Sequence, residues 1–81
     1  MITMLTSQAR VLAKIYQHPD WTTRSIAISV DITERQVGVI LRELQSHDYI
    51  KTAPVGRGAV RTVLHPSLAE AIIVLEDRLH D

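Results

Sequence analysis

The stretch Thr22-Thr23-Arg24-Ser25-Ile26-Ala27-Ile28-Ser29-Val30-Asp31-Ile32-Thr33-Glu34-Arg35-Gln36-Val37 decides how this chain is read. Thr22 or Thr23 is suited to cap a short helix over Arg24 to Val30, because a hydroxyl can accept from the N–H groups that a helix start leaves open. Asp31 follows at a turn position, where a short polar side chain tolerates left-handed backbone better than most. Thr33-Glu34-Arg35-Gln36 then reads as a capping box, with Gln36 reaching back to the N–H of the cap. From Thr33 to Ser46 the helical period gathers Val37, Ile40, Leu41 and Leu44 on one face and sets Arg35, Val39, Arg42 and Ser46 on the opposite one. The pattern is a short helix, a tight turn and a longer helix with a basic outer face.

Upstream, Thr6 is placed to cap a first helix running to about Gln17, with Pro19 enforcing the stop. Leu5, Ala9, Leu12 and Tyr16 line one face of it, and Val11 and Ile15 stand nearly opposite as a surplus apolar face. Downstream, Tyr49 to Thr52 and Ala59 to Leu64 are β-rich and flank the tip Val55-Gly56-Arg57-Gly58, which predicts a hairpin. Pro54 is expected to limit pairing near the tip, and alternation leaves open which residues of the returning strand face inward. Pro66 ends that strand, and Ser67-Leu68-Ala69-Glu70 reads as a second capping box. It opens a terminal helix with Leu68, Ile72, Leu75 and Leu79 in a stripe and Ile73 and Val74 to either side.

With 81 residues and 46% hydrophobic side chains the chain supports one small core. Without cysteine that core has no disulfide or zinc staple, which leaves oligomerisation as the expected support. No apolar run approaches the ~18 residues of a membrane span, so a soluble, cytoplasmic protein is expected. Formal charge is zero but unevenly spread: residues 1–65 carry eight Lys/Arg against five Asp/Glu, and residues 66–81 carry one against four. His18, His47, His65 and His80 lie far apart with no paired ligand spacing, so neither a metal nor a cofactor is expected. Gly56-Arg57-Gly58 lacks the glycine pattern of a dinucleotide loop, and no Ser–His–Asp order is suggested; the chain does not read as an enzyme.

Across nearly its whole length the chain resembles the winged helix-turn-helix domain of small prokaryotic transcriptional regulators, broadly of the MarR kind. The resemblance rests on Trp21 through Thr33, on Thr33-Glu34-Arg35-Gln36-Val37 and Leu41-Arg42-Glu43-Leu44, and on Asp48-Tyr49-Ile50. Asp31 and Asp48 stand where that family commonly has glycine. The resemblance implies a mainly α fold with a small β-hairpin wing: a three-helix core plus a C-terminal helix. Residues 1–66 would form the DNA-binding domain and residues 67–81 a dimerisation helix. The function implied is that of a sequence-specific double-stranded-DNA-binding transcriptional regulator acting as a homodimer, with any small-molecule effector left open.

In such a domain the third helix enters the major groove, which makes Arg35, Gln36, Val39 and Arg42 the expected base readers and lets Gly38 bring the helix close. Arg57 at the wing tip is expected at a minor groove or phosphate, and Thr22, Thr23, Arg24, Lys51 and Arg61 at the DNA backbone. Trp21 is expected at the base of the wing. Val11, Ile15, Ile72, Ile73, Val74 and Leu75 are the expected dimer contacts, since a chain this small tends to cover surplus apolar faces. The alternative is a winged-helix module that binds another protein through the same outer face. A winged helix for structured RNA is a weaker third reading, with no aromatic platform for unpaired bases.

Overall fold

Threonine hydroxyls open three of the helices. The computed structural model describes residues 6–79. It orders them as α1 (Ser7–Gln17), α2 (Thr23–Val30), α3 (Glu34–Ser46), β1 (Ile50–Val55), β2 (Gly58–Val63) and α4 (Pro66–Leu79). Thr6 Oγ1 accepts from the Ala9 N–H at 3.2 Å, Thr22 Oγ1 from Ser25 at 3.1 Å and Thr33 Oγ1 from Gln36 at 3.1 Å. Each bond satisfies a donor that the first helical turn cannot satisfy itself.

Aspartates stop α2 and α3. Asp31 and Asp48 both take φ of 61°, the left-handed region. The next residue then donates back to the helix: the Ile32 N–H to the Ala27 carbonyl at 3.1 Å and the Tyr49 N–H to the Leu44 carbonyl at 2.8 Å. These are Schellman-type endings, with aspartate where glycine is the more common solution.

The second expected capping box does not form. α4 begins at Pro66, whose missing N–H and fixed φ suit a first helical position. Ser67 is therefore already inside the helix, and Glu70 instead accepts a hydrogen bond from the Tyr16 hydroxyl at 2.7 Å. The hairpin is also longer than predicted. Its antiparallel ladder runs from Ile50 opposite Val63 through Pro54 opposite Ala59 to Val55 opposite Gly58. Gly56, at φ of 59°, is the first of the two loop residues, a position glycine fills in tight hairpins without steric cost.

The core collects Val11, Leu12, Ala13 and Ile15 of α1 with Ile26, Ala27, Val30, Val37, Ile40, Leu44, Ile50, Val63, Ala69 and Ile72. This corrects the expected surplus faces. Val11 and Ile15 are fully buried, because α1 is central and packs against α2, α3, β2 and α4 at once. A helix covered on several sides needs apolar residues beyond a single stripe. Ile72 is likewise buried in the core, and Ile73 packs against it. None of Val11, Ile15 and Ile72 is available to a second subunit.

On α4 the stripe is displaced from the expected one. Leu68, Leu75 and Leu79, assigned above to one face with Ile72, are exposed together with Val74, by 42% to 50%. Leu68 stands at the lip of a groove of about 460 Å³ that runs between α1, α3 and α4 over Ala9, Leu12, Leu44 and Ile72. Leu5 and His80 lie outside the described residues.

Candidate nucleic-acid interface

α3 buries Val37, Ile40 and Leu44 and half-buries Leu41, which turns Arg35, Gln36, Val39 and Arg42 to solvent. All four expected readers therefore share the outward side of the helix. Val39 is 43% exposed there, beside Gly38. Beyond its chain neighbours and the backbone of its own helix, a Cβ added at Gly38 would meet no atom within 4 Å, so no packing contact inside the chain requires glycine at this point. Mid-helix glycine costs roughly 0.5–1 kcal/mol relative to alanine. A local loss of stability with no internal cause is what a surface shaped for close approach would carry.

Arg42 lies along the helix, its Nε 3.5 Å from the Gly38 carbonyl, a distance at which little holds it in place. Gln36 is less available than its exposure suggests. Its Oε1 accepts from the Thr33 N–H at 2.9 Å and from the Thr33 hydroxyl at 3.2 Å, completing the capping box. Pairing with adenine uses both the amide oxygen and the amide nitrogen. While the box is closed, only the NH₂ end of Gln36 can point outward.

Of the expected backbone contacts, Arg24 is exposed on the first turn of α2, Lys51 on β1 and Arg57 on the hairpin tip. Thr23 is half-buried. Thr22 is occupied as the cap, and its hydroxyl also donates to Ser25 Oγ at 3.0 Å. Among the described residues no group of three or more His, Cys, Asp or Glu is placed to hold a metal. Among them, too, no helix is long and apolar enough to cross a membrane.

No protein-family model matches the sequence, and no curated protein matches it. Solved structures do. MepR, the transcription regulator of the Staphylococcus aureus multidrug efflux pump MepA, aligns over 95% of this chain and 61% of its own at 22% identity, with a TM-score of 0.73. ZitR of Lactococcus lactis, solved in complex with DNA, aligns over 95% and 56% at 18% identity and a TM-score of 0.75. The MarR family protein Rv2887 of Mycobacterium tuberculosis aligns over 95% and 57% at 17% identity and a TM-score of 0.68. The chain has their MarR-like winged-helix fold. It spans no more than 61% of the length of these three proteins.

Within the winged helix, Arg61 departs from its expected place. Instead of lying free on the strand, it is half-buried, with Nη1 donating to the Trp21 carbonyl at 3.1 Å and its backbone N–H to the Pro19 carbonyl at 2.9 Å. Burial lowers the pKa of its guanidinium from the ordinary value. Arg61 is a fastening between the wing and the α1–α2 connection. Trp21 does sit by the wing strand, stacked face to face on His18 with ring centroids 3.8 Å apart.

Two further contacts escaped the sequence reading. Thr52 Oγ1 donates to Gln45 Oε1 at 3.1 Å, tying β1 to α3, and Gln8 Nε2 donates to Glu43 Oε2 at 2.9 Å, tying α1 to α3. The first joins positions seven apart and the second positions 35 apart. Neither spacing carries a recognisable local signature.

Proposed function

We propose that the chain is a double-stranded-DNA-binding transcriptional regulator that inserts α3 into a major groove. Arg35, Val39 and Arg42 face base edges, and the wing lies along the adjacent backbone or minor groove through Arg57 and Lys51. The observation that carries this reading is the outward centre of α3. An exposed Val39 and a Gly38 with no internal partner stand between arginines that suit the paired acceptors of guanine. A merely solvated face has no need of either. Arg24 supplies a backbone contact from α2. The fold shared with ZitR, which was solved in complex with DNA, supports DNA as the ligand.

The protein acts as a homodimer through α4, with Leu68, Val74, Leu75 and Leu79 as the contacts. Their exposure as large apolar side chains on one short helix supports this assignment. A two-fold pair would set two α3 helices about one DNA turn apart, doubling a modest single reader.

The deciding experiment titrates the protein against random duplex and against selected sites at two salt concentrations. Affinity for both should fall steeply with salt as counterions are released. Arg42→Ala should cost about 1–3 kcal/mol at a selected site and little on random duplex. Indifference to both DNA and salt overturns the reading and favours a module that binds another protein through the same face.

A further inference from the structure

We propose that the rung formed by Thr52 and Arg61 is a brace fixing the direction of the wing relative to α3, so that Gln45, Thr52 and Arg61 are positioning residues for the wing's contact with DNA. The DNA part of this inference rests on the function proposed above. The geometry stands separately.

Thr52 and Arg61 are opposite one another in the ladder. On the β1 side the Thr52 hydroxyl is held by Gln45 in the last turn of α3. On the β2 side Arg61 is held twice by the α1–α2 connection, through its backbone N–H to Pro19 and its guanidinium to Trp21. One rung is thus gripped from both flanks, by the reading helix and by the segment that leads into α2. Stacking of Trp21 on His18 stiffens the segment that supplies the carbonyls.

Below this rung the hairpin is already anchored, since Ile50 and Val63 are buried in the core. Above it, residues 53–58 are all exposed and only Ala59 and Val60 on β2 are half-buried, so the tip takes its direction from where the strands are held. An isolated two-stranded hairpin is at best marginally stable in water. Val55 lies three residues past Thr52, about 10 Å at roughly 3.3 Å per residue. A swing of about 20° at the brace would move the tip by roughly 3–4 Å, as much as the length of a hydrogen bond. Arg57 keeps a phosphate or groove contact only if that swing is suppressed.

The test uses the full chain. It contains no cysteine, so a pair introduced by Val55→Cys and Ile28→Cys, both exposed positions, accepts spin labels without background. The label-to-label distance should be narrowly distributed in the braced protein. It should broaden with Gln45→Ala, with Thr52→Val and with Arg61→Met. Should Arg61→Met fail to fold, the Gln45 and Thr52 variants decide alone.

On DNA, Arg57→Ala should weaken binding several-fold in the wild type and much less in the Thr52→Val background. Unchanged distance distributions, together with equal effects of Arg57→Ala in both backgrounds, overturn the brace. A broadened distribution in a protein that binds no duplex supports the brace and overturns the DNA-binding reading instead.

Discussion

Single residues carry the sharpest tests. Gly38 is the first. With open space where a Cβ would sit, Gly38→Ala should raise stability by about 0.5–1 kcal/mol in urea unfolding. The same change should lower affinity for DNA, because the added methyl stands between α3 and the groove floor. A variant that gains stability and binds DNA unchanged would show that the glycine serves no ligand. Tyr16 is the second. Its hydroxyl donates to Glu70, and the pKa of the phenol is raised by that hydrogen bond first, then by desolvation and by the Glu70 charge. A raised value for an acid means that the folded state holds the proton longer than the unfolded one. The stabilisation is therefore complete below the ordinary value near 10 and is lost as pH climbs through the folded value. The difference between wild-type and Tyr16→Phe absorbance titrations should place the Tyr16 midpoint above 10.0, and the stability advantage of the wild type over the Phe variant should shrink as pH rises through that midpoint.

At the scale of elements, α1 and α4 separate core from interface. Ile15→Ala should cost about 2–5 kcal/mol, since Ile15 is buried under several neighbours. Leu75→Asp with Leu79→Asp should cost little in the monomer and convert a sedimenting dimer to monomer at micromolar concentration. A wild type that is already monomeric there removes the case for α4 as the contact. The same elements mark how far the sequence was legible. The α2–turn–α3 unit was readable because it is built from local chemistry: a threonine cap, an aspartate in left-handed backbone and a reciprocal box, all within a few residues. The buried side of α3 was readable for the same reason. The sides of α1 were not, because which of them are covered depends on β2 and α4, far along the chain. The start of α4 was misplaced by one competing local rule, proline at the first helical position. For the candidate site, exposure of Arg35, Val39, Arg42 and Arg57 followed from periodicity and turn position. The fastening of Arg61 to Trp21 spans 40 positions, and no pattern of spacing announces it.

The whole molecule is organised around α1, which touches α2, α3, β2 and α4. Charge follows the same layout, with the net positive share in residues 1–65 and the net negative share in residues 66–81. α4 joins the common core through Ala69 and Ile72, so it does not melt as a separate layer on packing grounds alone. Arg10 adds a second link. From α1 its Nε reaches Glu76 of α4 at 3.3 Å while its Nη1 reaches the Val30 carbonyl at the end of α2 at 3.3 Å. One guanidinium thus belongs to three helices, and its consequence is cooperativity. Amide protons of α2 and α4 should exchange with similar opening free energies in the wild type, as members of one unfolding unit. Glu76→Gln should split them, letting the α4 amides open by a cheaper local route while those of α2 still wait for global unfolding.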